Sequence, residues 1–131
     1  MSTKLNQILA EISAGELLDK ITILEIKREK ITDSEKLKDI NKELSSLTKT
    51  SDEKIPDKKR IENLVSDLKK INLKLWDIEE NKRRAEKEKK FDETFIQLSR
   101  DVYKSNDERA KIKLKINDIL GSNIKEVKSH Y

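Results

Sequence analysis

The chain contains no cysteine and a single histidine among its 131 residues. The first absence excludes a disulfide framework, a zinc–thiolate site and a thiol nucleophile. The second, with His130 beside the C-terminus, disfavours a histidine-based triad and a Glu-x-x-His di-iron site. Two glycines, one proline and 4% aromatic residues stand against 43% charged residues, which favours long helices over sheets or barrels. Gly15 and Gly121 are isolated, so there is no glycine-rich phosphate loop. Glu79-Glu80 is the one adjacent glutamate pair, short of the paired acidic clusters that hold magnesium in helical bundles. Neither a metal nor a cofactor is expected. No apolar run approaches the ~18 residues that span a bilayer. Ile8-Leu9-Ala10 is too short for the apolar core of a signal peptide. Lys and Arg number 30 against 26 Asp and Glu, a dense but nearly balanced charge of +4. These features predict a soluble, cytoplasmic, single helical domain over 1–131.

The apolar spacing divides the chain into four helices. Leu5, Ile8, Leu9 and Ile12 share a helical face in an N-terminal arm, 1–12, which is either a short helix or an extended segment laid on the domain. Ser13-Ala14-Gly15-Glu16 has the form of a capping box and predicts a helix from Ala14 to about Ile31. Leu17, Ile21, Leu24 and Ile31 line one side of it and Ile23 and Ile26 another, the mark of a central helix. Leu37, Ile40, Leu44 and Leu47 predict a second helix ending near Lys49, followed by a polar linker, 50–58, around Pro56. Ile61, Leu64, Leu68, Ile71, Leu75 and Ile78 keep a coiled-coil-like alternation along a long third helix opened by Pro56 or Asp57. A fourth helix is predicted from Phe91-Asp92 to Leu120, stopped by Gly121, with a kink or restart at the second capping pattern, Ser105 to Glu108. Residues 121–131 form a tail whose Ile124 and Val127 could dock on the body. The fold class is therefore all-α: a four-helix up-down bundle with coiled-coil-like third and fourth helices.

Polar residues interrupt the inward faces. Phe91, Phe95, Leu98, Val102, Asn106, Arg109, Lys113, Ile116 and Leu120 share one face of the fourth helix, and three of them are polar or charged. Leu68, Asn72, Trp76, Glu79 and Arg83 behave alike on the third, as do Glu16, Lys20 and Lys27 beside Ile23 on the first. Up-down connectivity brings Lys113 and Asn117 near Glu16 and Lys20, and Asn72 and Trp76 opposite Asn106 and Arg109. Arg109 is expected to be buried against a carboxylate: Glu79, Glu16 or Asp19, with Asp107 as the local alternative. Such a cluster is either a satisfied network that fixes helix register or a pocket for an anionic or sugar-like ligand. In the pocket reading Arg109 grips a carboxylate or phosphate, Lys113 adds a charge, and Trp76 or Tyr103 forms a flat wall. Glu16 or Asp107 would then be the general acid/base. The basic run from Lys82 to Lys90 is diluted by Glu86 and Glu88 and lacks interleaved aromatics, so nucleic acid is disfavoured.

The strings GELLDKITILEIKREKI (15–31), LWDIE (75–79), FIQLSRDVYKSNDERAKIKLKIN (95–117) and LGSNIKEVKSHY (120–131) resemble an uncharacterised family of short helical bacterial and phage proteins, classed as a domain of unknown function. The resemblance takes in Glu16, Lys20, Trp76, Glu79, Arg100, Tyr103, Asn106, Asp107, Arg109, Lys113 and Asn117, together with Gly15, Asp19, Glu126 and Lys128. Ser99, where alanine is usual, and His130 depart from the pattern. The resemblance implies a genomic setting near surface-polysaccharide genes and supplies no mechanism.

The function expected from these residues is a non-catalytic helical binding or assembly module, and the resemblance implies a role accessory to cell-surface polysaccharide biosynthesis. The alternative is a small all-α enzyme or sensor for an anionic sugar or nucleotide-like ligand held by Arg109 and Lys113. The expected partners are a second copy of the chain and a protein or an anionic small molecule, with no membrane insertion. The dimer would bury the outer side of Ile71, Leu75 and Ile78, or the Phe91/Phe95 tip.

Overall fold

A computed structural model describes residues 4–127; His130, Lys128 and the first three residues of the arm lie outside them. The elements are α1 (Ala14–Lys30), α2 (Ser34–Lys54), a 3-10 turn (Lys59–Ile61), α3 (Glu62–Glu88) and α4 (Glu93–Leu120). The described residues contain no strand, and the fold is an all-α helical bundle. Ser13 caps α1 by accepting the Glu16 N–H at 3.1 Å. The capping box is only half formed, because the Glu16 carboxylate turns instead to Lys20 and Lys113. Asp33 caps α2, Asp92 caps α4, and Gly121 ends α4 with φ +64°, the left-handed conformation that glycine enters without a Cβ penalty.

α1 is the central helix and packs against the other three, whereas α2 packs on α1 alone. α3 and α4 form a hairpin through 89–92 and are ~40 Å long, against ~26 Å for α1. The main core gathers Leu17, Leu18, Ile55, Ile61, Leu68, Ile71 and Ile116 where the start of α1, the 55–61 segment and the end of α4 meet. A smaller cluster of Leu24, Ile40 and Leu44 holds α2. The opposite end of the α3–α4 hairpin projects beyond both and carries an edge-to-face pair, Phe91 and Phe95, with ring centroids 5.3 Å apart.

Several expectations differ from the structure. The stretch expected as linker begins as helix, since α2 continues to Lys54 and buries Ser51. Polar composition does not stop this helix. Pro56 does, because the residue before a proline is pushed out of the helical region, and Ile55 sits at φ −122°, ψ 80°. α3 accordingly begins only at Glu62, after the 3-10 turn. α4 runs through Ser105 without a restart, because the Ser105 side chain is buried in the body and caps nothing. Ile71 and Ile78 are buried within the chain and offer no outer seam to a partner, leaving Phe91 exposed at the tip. The tail is held by polar groups, and Ile124 and Val127 point to solvent. The arm over 4–12 forms no helix and leaves Leu5, Ile8 and Leu9 exposed.

Candidate functional site

Gly15, Asp19, Thr22 and Ile26 succeed one another at 4-3-4 spacing on α1, and all four are buried. Asp19 sits at the centre of this stripe with 1% of its side chain exposed. A carboxylate so far from water costs several kcal/mol unless donors surround it. Asn72 of α3 donates its amide to Asp19 Oδ1 at 2.9 Å. Arg109 of α4 donates Nε to Oδ1 at 2.9 Å and Nη2 to Oδ2 at 2.5 Å, the two-pronged geometry that suits guanidinium to carboxylate. The Asn72 amide also reaches Thr22 Oγ1 at 3.0 Å, and the Thr22 hydroxyl donates to the Asp19 backbone carbonyl at 2.8 Å. Three helices thus converge on one carboxylate.

A second knot lies one turn towards the start of α1. Lys113 Nζ, on a side chain 14% exposed, is 2.5 Å from Glu16 Oε2, 2.7 Å from Glu126 Oε2 and 3.9 Å from Asp19 Oδ2. The Ser13 hydroxyl donates to Glu126, binding the tail to the helix start. The first amides of α1, which no helical carbonyl can satisfy, donate to Ser122 Oγ at 3.0 Å from Ala14, and to Asn117 Oδ1 at 2.6 Å from Gly15. The hydrogen bond to Asp19, opposed by partial burial, raises the Arg109 pKa above its ordinary value. Burial disfavours the Lys113 ammonium, but bonds to Glu126 and Glu16 outweigh it and raise that pKa too. Burial likewise disfavours the charged form of Glu126, and Lys113 with Ser13 overturns it, lowering the pKa. Lys113 and Glu126 thus hold each other ionised, and Asp19 does the same for Arg109.

Around this network the candidate residues separate. Arg109, Lys113, Glu16 and Asn117 are brought together, and Lys20 stays at the rim, 3.5 Å from Glu16. Trp76, Glu79, Asn106 and Arg109 line a crevice of about 270 Å³ with Ile23, Ile26, Asn72, Leu75 and Val102. Glu79 is exposed there and pairs with Arg83 at 2.9 Å, while Arg109 turns to Asp19. The Trp76 indole Nε1 is buried without an acceptor among the described residues. Asn106 is exposed, its Oδ1 3.5 Å from Arg109 Nη1. Arg100 and Tyr103 are exposed, and Asp107 is half-buried on the same helix. A larger apolar cavity of about 570 Å³ at the other end, bordered by Ile12, Leu17, Pro56 and Leu120, touches none of the candidates. Among the described residues, no three acidic or histidine side chains are grouped to hold a metal ion, and no helix is long and apolar enough to cross a membrane.

Asp19 is the hub that the apolar pattern underrates. Its spacing set it among several acceptors for Arg109, and Thr22 carried no signal at all in an amphipathic reading. The usable signal was the run of small and polar residues at helical spacing, Gly15-Asp19-Thr22, continuing into Ile26. The chain belongs to a family of unknown function, DUF6165, whose model matches residues 8–131. No curated protein and no solved structure matches it.

Proposed function

We propose that this member of the family is a non-catalytic helical binding and assembly module, dimeric and cytoplasmic, that serves cell-surface polysaccharide synthesis as an accessory. The polysaccharide setting comes from the sequence resemblance. The non-catalytic reading rests on one observation: Arg109 and Lys113, the strongest anion grips in the cluster, are both committed to carboxylates of the same chain. A ligand anion would have to displace Asp19 from Arg109, weakening the pairing of a buried carboxylate at a cost of several kcal/mol, or compete with the Glu16 and Glu126 carboxylates for Lys113. The expected result is that sugar phosphates, nucleotide sugars and dicarboxylates leave the melting temperature unchanged. A stabilisation by any of them that disappears in a folded Lys113→Met variant would overturn the proposal in favour of a ligand-gripping enzyme or sensor.

A second reading has its own support in the unsatisfied Trp76 N–H. A buried donor without an acceptor is uncommon and costs about 1–3 kcal/mol. Trp76 lines the crevice with Asn106, Glu79 and Arg109, a set suited to a small hydroxylated ring rather than a highly charged group. Trp76 is the sole tryptophan of the chain, so its fluorescence reports on the crevice directly. Saturable quenching or a spectral shift on titration with neutral monosaccharides would support this reading, and an unchanged spectrum at high millimolar sugar would contradict it.

A further inference from the structure

The cavity of about 570 Å³ beside the main core has the walls of a seat for an apolar guest. Leu17, Ile55, Pro56 and Leu120 line it, and its volume lies within the roughly 300–1,000 Å³ of ligand pockets. Two anions, Glu11 and Asp57, and two cations, Lys54 and Arg60, also border it. A border of balanced charge favours neither an anionic nor a cationic guest. It suits an uncharged segment whose polar groups both donate and accept hydrogen bonds.

Such a segment begins where the cavity wall ends. Ala10, Glu11 and Ile12 of the arm belong to the wall, and Leu5-Asn6-Gln7-Ile8-Leu9, without a charge, runs directly before them. Leu5, Ile8 and Leu9 are 78%, 79% and 85% exposed. Their spacing puts them on one face of a helical turn, yet the arm is not helical. Among the described residues its backbone makes no hydrogen bond to other backbone groups. Three large apolar side chains therefore stand in water next to an apolar cavity, and their own chain cannot bring the two together. The root of the arm is tied at Glu11, which accepts from Asn123 at 2.7 Å. A chain reversal takes four residues, so a turn over 6–9 would leave Leu5 alone to fold back. We propose that the arm of each copy enters this cavity in a second copy and takes up there the helical turn that its spacing encodes. Leu5, Ile8 and Leu9 face the apolar walls, and the amides of Asn6 and Gln7 meet the charged border. Each chain gives one arm and receives one, the reciprocal contact of a closed two-fold dimer. The inference rests on the assembly reading above and names its partner and surface.

Two variants and their mixture test the exchange by light scattering over a range of concentration. Leu5→Ser/Ile8→Ser/Leu9→Ser changes three exposed residues outside the helices. It is expected to keep the helical circular dichroism and to raise the dimer dissociation constant about 100-fold or more. Thr50→Trp, at an exposed position on the cavity border, fills the seat from the receiving side and is expected to weaken the dimer likewise. An equimolar mixture of the two restores one pairing, the arm of the Thr50→Trp chain in the cavity of the triple-serine chain. The mixture is expected to associate more tightly than either variant alone. A dimer that persists unchanged in either variant, or a mixture no tighter than its components, would overturn the exchange while leaving the assembly reading intact. A wild-type mass near 15.3 kDa at high concentration would overturn both.

Discussion

Gly15 marks a close approach of α1 to α4. A Cβ at this position would lie 2.5 Å from the Lys113 carbonyl oxygen and 2.9 Å from Asn117 Oδ1. The first is backbone and cannot swing aside, and the second accepts the Gly15 N–H. Gly15→Ala must therefore push the two helices apart, although alanine favours helix more than glycine. The expected destabilisation is about 1–3 kcal/mol, the usual range for overpacking a tight contact. Thermal or urea unfolding checks it, and a variant as stable as wild type would mean that α1 does not pack so closely. A glycine beside a capping serine is legible in sequence as a helix start, but its contact with α4 is not, because that depends on tertiary approach. Asp19 was hidden for a related reason. Apolar periodicity assigns faces from large side chains, and here the contacts of α1 with α3 and α4 at Gly15 and Asp19 are made by small and polar ones.

At the scale of elements, the tail and α1 are joined by charge rather than by apolar docking. Glu126 reaches Lys113 at 2.7 Å and accepts from Ser13, and Asn123 donates to Glu11 at 2.7 Å. The signs of the pKa shifts fix the pH dependence of this clasp. Glu126 is lowered in the folded chain, so its contribution is present above the unfolded value and lost as pH falls through the folded one. Lys113 is raised, so its contribution is complete below the unfolded value and lost as pH rises through the folded one. The stability difference between wild type and Glu126→Gln should thus be constant from about pH 6 to 9 and shrink below about pH 4. Urea midpoints across that range test it; a difference that widens in acid would contradict the clasp. The helices themselves were legible from 3-4 spacing, Ser13 and Gly121 included. The end of α2 was not, because Thr50 to Lys54 looks like linker by composition, yet Pro56 alone dictates where the helix must stop. The tail was read for its Ile124 and Val127, and only the folded arrangement reveals that Ser122, Asn123 and Glu126 attach it.

Across the whole molecule, the core lies at one end, the hairpin tip projects at the other, and the charged network ties α1, α3 and α4 together between them. The sequence carried the existence of an inward polar cluster and its main members, because Arg109 and Lys113 share a face with Ile116 and Leu120. It did not carry the pairing, since several carboxylates were within reach of Arg109 by connectivity, and side-chain depth decides among them. Asp19 prevails because it is almost wholly buried and needs the guanidinium most, whereas Glu79 is solvated and pairs within its own helix. The central claim is that Arg109 stabilises this buried carboxylate. The most direct measurement is urea unfolding of Arg109→Ala beside Lys111→Ala, an exposed neighbour on the same helix. Arg109→Ala is predicted to cost about 2–4 kcal/mol, less than for a fully buried pair because 29% of the Arg109 side chain is exposed. Lys111→Ala is predicted to change stability by under about 0.5 kcal/mol. Equal, small losses in both variants would contradict the claim.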